Sequence, residues 1–236
     1  MPDPVPNPDL LRSLGRLVRG LSVLFWGLPV ALIVCVQTAK TEWFKSFGVG
    51  PPLAVMGLLV YGLWQLGHFQ RQERPWRNAL DRAQLLGLVN AGLSPFLYWW
   101  NKIPAHPFFV AVVTLMAATS LLFLSHLNLV LQRLSAMLPD ETLRLETKQF
   151  ATLNRILLLI TLLLAAVYLS LSRWPAPLPR WAASFLYILD QGNLWFLIFL
   201  VLLPLAMTMA LIWKTKEVIL DSVFGGPQGG TGPDSR

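Results

Sequence analysis

The chain has 236 residues, of which 55% are hydrophobic and only 13% are charged. Soluble domains usually carry about a quarter charged residues, so this composition excludes an ordinary water-soluble globule. The formal charge of +7 raises nucleic acid as a partner. Basic residues retained in cytoplasmic loops explain that excess better. We therefore expect an all-α, polytopic membrane helix bundle that contacts the lipid bilayer and no nucleic acid.

In chain order, the first element is a polar, Pro-rich tail over residues 1–17, which we expect to be disordered. A membrane domain follows over residues 18–216. The last part, 217–236, is a tail that becomes rich in Gly and Pro, and we expect it to be flexible from about residue 225. The candidate cleavage site after the first apolar run has no small residue at its −3 position, which favours an uncleaved span over a signal peptide.

Apolar runs of about 20 residues match the thickness of a bilayer core. Five such runs are clear, and a sixth is weaker because Asn90, Ser94 and Pro95 interrupt it. The predicted spans are 18–38, 51–68, 83–100, 108–131, 155–172 and 194–213.

The distribution of Lys and Arg decides whether the weak run crosses the membrane. Six spans with the N-terminus inside leave fourteen of the nineteen basic residues on the cytoplasmic side, in agreement with the positive-inside rule. With five spans, Arg133, Arg144, Lys148 and Arg155 move outside. We therefore predict three helix hairpins with both termini inside, in a bacterial inner (plasma) membrane.

Small residues share one face in two of the predicted spans. Gly20 and Gly27 do so in the first, and Ala83, Gly87 and Ala91 recur every four residues in the third. Such rows let a second helix approach closely. Because the third span is also the least apolar, we expect it in the centre of the bundle, surrounded by other helices rather than by lipid.

Uncharged polar side chains also recur in the spans at helical spacing. They either line a path for a solute or form contacts between packed helices, and contacts are the commoner role. The candidate residues are Asn90, Ser94, Thr114, Ser125, Asn128, Thr161 and Tyr168. None of the twelve Asp and Glu residues lies within a predicted span, which disfavours transport driven through a buried carboxylate.

The densest basic patch follows the second span and consists of Arg71, Arg74, Arg77 and Arg82. Such a patch binds an anionic lipid headgroup or an acidic segment of a partner. The simpler interpretation is that these charges only fix the orientation of the chain, with Trp76 beside them at the membrane interface.

His68 and His126 are the ionisable side chains closest to membrane depth in this topology. Two imidazoles from different helices can ligate a haem iron or another metal. No CxxCH motif accompanies them, and Cys35 is the single cysteine. We therefore expect no metal and no cofactor, and we keep the two histidines only as weak candidates.

The sequence has no HExxH, GxSxG or Walker motif, so we expect no enzyme. The leading hypothesis is an accessory, assembly or scaffold component that contacts other membrane proteins, or further copies of itself, through its helices and cytoplasmic loops. The alternative is a small transporter or channel for a neutral solute. A haem- or metal-bearing redox subunit is the third hypothesis.

Overall fold

The structure of the protein is a computed structural model that describes residues 8–41, 45–69, 73–137, 141–172 and 193–224, together with positions 179 and 184. The long elements in these residues are helices, which confirms the predicted all-α class for the described part of the chain. They are α1 (Pro8–Lys40), α2 (Gly50–Leu66), α3 (Arg74–Leu93), α4 (Pro95–Lys102), α5 (Pro107–Ala136), α6 (Glu141–Ser172) and α7 (Asn193–Phe224), with a 3₁₀ turn over Lys45–Phe47 before α2.

The predicted spans fall on these helices. Three of the described helices are long and apolar enough to cross a membrane, namely Arg12–Lys40, Pro107–Ala136 and Thr147–Tyr168, and Gly50–Leu66 is apolar but shorter. The chain thus has the helices of a membrane protein, whereas six spans and their orientation stay predictions. Helix α1 begins at Pro8, so helix covers the second half of the segment assigned to the N-terminal tail. The predicted flexible end, from residue 225, lies outside the described residues.

Helices α3 and α4 follow each other directly, with Ser94 as the single residue between them. Ser94 N–H donates to Asn90 O at 2.9 Å, and its hydroxyl donates to Ala91 O at 2.8 Å. Pro95 has no N–H to continue the helical ladder, which explains why the helix is interrupted there. At 1.5 Å per residue the two helices together extend over roughly 40 Å, which is enough to cross a hydrocarbon core.

Helices α1 and α2 pack closely at glycines, as the sequence predicted. A Cβ atom at Gly20 would overlap Leu66 Cδ1 and would lie 2.9 Å from Gly62 O. A Cβ atom at Gly27 would lie 2.8 Å from Leu59 Cδ2. The missing side chains therefore set the distance between these two helices.

The predicted central position of α3 is wrong. Its small-residue face, with Ala83 and Gly87, is buried against neighbouring helices. The opposite face exposes Leu85 and Leu88, which are 64% and 65% accessible. The low hydropathy of the predicted span, which comes from Asn90, Ser94 and Pro95, therefore does not reflect enclosure by other helices.

The antiparallel helices give the bundle two ends. The first, here called the Arg77 end, carries the beginnings of α1 and α3 and the end of α5. The second, the Lys102 end, carries the ends of α1 and α4. At this end Asn101 Nδ2 donates to Thr38 O and to Thr41 O, both at 3.0 Å, and ties the two helix ends together.

Candidate functional site: a cavity in one half of the bundle

A cavity of 760 Å³ lies between the helices in the half of the bundle towards the Lys102 end. All seven described α-helices contribute to its lining. It extends from Leu28 to Ala39 along α1 and from Val113 to Leu124 along α5, a helix rise of roughly 16 Å. That length is about half of the roughly 30 Å hydrocarbon core of a bilayer. The volume is in the range of small-molecule sites.

The cavity exists because small side chains face it from several helices. They are Ala31, Ala39, Gly87, Ala117, Ala118, Ala165 and Ala166. Most of the other lining residues are Leu, Val, Met and Phe, and none of the described lining residues is Asp, Glu, Lys, Arg or His. A charged group inside this lining would lose its hydration without gaining a partner charge. The lining therefore suits an uncharged, largely apolar molecule.

Four of the predicted polar residues line the cavity: Asn90, Thr114, Thr161 and Tyr168. The buried Asn90 side chain accepts a hydrogen bond of 2.6 Å at Oδ1 from Thr119 Oγ1, which links α3 to α5. Thr161 Oγ1 donates to Leu157 O of its own helix at 2.8 Å. These side chains give the apolar lining a few polar positions.

The cavity is closed towards the Arg77 end. Its last lining residues on α1, α2, α5 and α7 are Leu28, Leu59, Leu124 and Leu205. Two helical turns further on, the side chains of Leu21, Leu66, Leu131 and Ile212 have no exposed surface. The described residues thus form a cavity in one half of the bundle that is blind towards the Arg77 end, and they pack densely in the other half.

Polar side chains from α5, α6 and α7 meet one helical turn below the cavity floor. Thr208 Oγ1 donates to Pro204 O at 2.8 Å, so its oxygen is left to accept. It accepts from Asn128 Nδ2 at 3.2 Å and from Asn154 Nδ2 at 3.0 Å. Asn154 Nδ2 also lies 3.1 Å from Pro204 O. We call Asn128, Asn154 and Thr208 the amide cluster.

The amide cluster is sealed from solvent, because none of its side chains is more than 1% exposed. Asn128 Oδ1 and Asn154 Oδ1 have no hydrogen-bond partner among the described residues. Each amide nitrogen also donates to a backbone carbonyl, Asn128 Nδ2 to Leu124 O at 2.9 Å and Asn154 Nδ2 to Pro204 O, so Thr208 is the acceptor that the two amides share. The cluster joins three helices at the point where the cavity gives way to dense packing.

The remaining polar candidates lie outside the cavity lining. Ser94 is buried between α3 and α4, and Ser125 is half-buried on α5. Sequence reasoning missed Thr119 and Thr208. The signal for Thr208 was its position four residues after Pro204, because a Thr hydroxyl often bonds the carbonyl of residue i−4.

In the basic patch, Arg74, Arg77 and Arg82 are exposed on α3, and Arg71 lies outside the described residues. Trp76 is only 1% exposed, so its side chain packs inside the protein and does not face lipid. The patch stays a candidate surface for anionic lipid or for a partner.

The two histidines each bond to their own helical segment. His68 Nδ1 lies 3.0 Å from Trp64 O, and His126 Nδ1 lies 3.0 Å from Leu122 O. Because a carbonyl oxygen only accepts, each Nδ1 carries the proton. Among the described residues, no group of three or more His, Cys, Asp or Glu side chains could hold a metal. Cys35 is a free thiol in the cavity lining.

Comparison of the chain with protein-family models, with curated proteins and with solved structures gives no match. The class of protein follows from the helices themselves: an α-helical protein with helices of membrane-spanning length and apolarity. Within that class, the blind cavity and the amide cluster are the features on which a function can be argued.

Proposed function

We propose that the protein is a non-enzymatic integral membrane protein that binds a lipophilic molecule within the bilayer and acts as a small carrier for it. The observation that carries this proposal is the 760 Å³ cavity, with its apolar lining and its few polar positions. The cavity places the transporter hypothesis ahead of the scaffold hypothesis, which the sequence had favoured, because a scaffold needs no such cavity. The apolar lining also favours a lipophilic solute over a polar one.

The physical basis is close packing. A ligand that comes from the bilayer leaves surroundings as apolar as the cavity, so its binding depends on van der Waals contacts with the lining and on the few polar positions, not on transfer from water. The carrier interpretation, as opposed to an open channel, is supported by the dense packing of Leu21, Leu66 and Leu131 beyond the cavity floor. A solute could reach the Arg77 end only after these side chains rearrange.

The alkylation rate of Cys35 reports whether the cavity is occupied, because Cys35 is the single cysteine and lines the cavity. Delipidated protein in detergent is treated with N-ethylmaleimide, with and without a total lipid extract. A ligand at ten times its Kd leaves about a tenth of the sites open, so we expect about tenfold slower alkylation with lipid.

A matched control places a cysteine outside the cavity. Ala111 is exposed on α5 and does not line the cavity, so Ala111→Cys in a Cys35→Ser background reports general effects of lipid on the reagent. Its alkylation rate should be the same with and without lipid. If Cys35 reacts as fast with lipid as without it, the proposed function is abandoned.

A second candidate function is the accessory role in which a partner packs on α6. One face of this helix forms a shallow surface depression that includes Leu145, Gln149, Leu153 and Ile156. It lies opposite the buried face of the same helix, which includes Asn154. If this role is correct, a second protein co-purifies in equimolar amount from native membranes. Leu153→Trp then abolishes its recovery, whereas Leu163→Trp, at an exposed site outside the depression, does not.

A further inference from the structure

We infer that the ligand of the cavity is a phospholipid with two chains, taken from one leaflet with its anionic phosphate at the Lys102 end. This inference rests on the proposed function and adds the chemical class of the ligand. Three observations support it: the length of the cavity, its width and the charge at the Lys102 end of the bundle.

The length matches one leaflet. The lining extends over roughly 16 Å of helix rise, and one leaflet contributes about 15 Å to the hydrocarbon core. It also lies on one side of the bundle centre, because the opposite half is closed by dense packing. A molecule that fills it therefore has the chain length of a lipid in a single leaflet.

The cavity is wider than a single hydrocarbon chain of a lipid. Dividing 760 Å³ by that length gives a mean cross-section of roughly 48 Å². Non-bonded carbons approach to about 4 Å, so an extended hydrocarbon chain takes up roughly 20 Å². Two chains side by side fill the cavity, whereas one chain leaves half of it empty.

The charged residues at the Lys102 end fit an anionic headgroup. Lys40 directly follows Ala39, which lines the cavity, and Lys102 lies two residues after Trp100, which also lines it. The bonds from Asn101 to Thr38 O and Thr41 O hold the two segments together. Lys102 Nζ lies 4.6 Å from the centre of the Tyr98 ring, in an aromatic cluster of the kind found at membrane interfaces.

No acid balances these two lysines within the described part of this end. The described Asp and Glu residues with assigned exposure, Glu73, Asp81, Glu217 and Asp221, belong to the Arg77 end. Glu42 and Asp190, which the sequence also assigns to the Lys102 end, lie outside the described residues. A phosphate at this position would have two ammonium groups as partners, while its chains enter the uncharged cavity.

The test compares three lipids with identical chains as protectants of Cys35 in delipidated, full-length protein. Phosphatidylglycerol has two chains and a phosphate, diacylglycerol has two chains and no charge, and lysophosphatidylglycerol has one chain and a phosphate. We expect half-protection at a concentration about tenfold lower for phosphatidylglycerol than for either of the others. The double variant Lys40→Gln/Lys102→Gln should remove the advantage over diacylglycerol and leave diacylglycerol itself unchanged.

The outcomes separate this inference from the proposed function. Equal protection by phosphatidylglycerol and diacylglycerol would show that the protein does not recognise the phosphate. Equal protection by phosphatidylglycerol and lysophosphatidylglycerol would show that the second hydrocarbon chain does not contribute to binding. In both cases the cavity still binds a lipophile, so the proposed function stands. If none of the three lipids protects Cys35, the proposed function itself fails.

Discussion

Asn154 on α6 and Thr208 on α7 are joined by a hydrogen bond of 3.0 Å between Asn154 Nδ2 and Thr208 Oγ1. The same oxygen accepts from Asn128 on α5, so one hydroxyl holds three helices together directly below the cavity. Such uncharged contacts inside a membrane each contribute about 0.6 to 2 kcal/mol. The cluster therefore gives the cavity a fixed floor without any buried charge.

Replacing Thr208 by Val keeps the shape of the side chain and removes the shared acceptor. Each of the two buried amide nitrogens would keep a backbone carbonyl as acceptor and lose Thr208, and a buried N–H group left without its partner costs about 1 to 3 kcal/mol. We expect the free energy of unfolding to fall by about 2 kcal/mol, measured by titration with a denaturing detergent. The matched control is Thr215→Val on the same helix. Thr215 is equally buried and its hydroxyl bonds only to Leu211 O.

Thr215→Val should change the free energy of unfolding by less than about 0.5 kcal/mol, because it breaks no contact between helices. Equal losses for the two variants would show that the amide cluster does not hold α5, α6 and α7 together.

The glycines between α1 and α2 give a second prediction. Gly20→Ala places a Cβ atom against Leu66 and Gly62, and we expect it to lower the free energy of unfolding by about 1 to 3 kcal/mol. Gly15, on the same helix, has no atom within 4 Å of the position of a Cβ. Gly15→Ala should therefore be neutral or stabilise the protein by up to about 1 kcal/mol through helix propensity. Equal effects at both positions would contradict the close approach of α1 and α2.

Orientation is tested by single cysteines in a Cys35→Ser background. With six spans and both termini inside, Lys102→Cys reacts with a membrane-impermeant maleimide in intact cells. Arg77→Cys and Lys216→Cys react only after the membrane is permeabilised. If Lys216→Cys reacts in intact cells while Arg77→Cys does not, the chain has an odd number of spans between these residues and the predicted topology is wrong.

Sequence patterns predicted the helices well, because long apolar runs and small-residue rows are local properties. They also identified Asn90, Thr114, Thr161 and Tyr168, which line one cavity. The cavity itself could not be predicted, because it arises where alanines of different helices come together. The placement of α3 failed because a mean hydropathy does not show how polar residues are distributed around a helix: Asn90 and Ser94 are buried, whereas Leu85 and Leu88 are exposed. Thr208 was missed because a single Thr produces no repeating pattern in the sequence.

The central claim is that the cavity holds a lipophilic molecule, and lipid bound to the purified protein tests it most directly. Ala118 on α5 lines the cavity, and Ala111 on the same helix does not. Lipid is extracted from the wild type, Ala118→Trp and Ala111→Trp, all with the same unfolding midpoint, and is measured by mass spectrometry. We predict an equimolar lipid in the wild type and in Ala111→Trp, and its loss in Ala118→Trp. The same amount of lipid in all three proteins would contradict the claim.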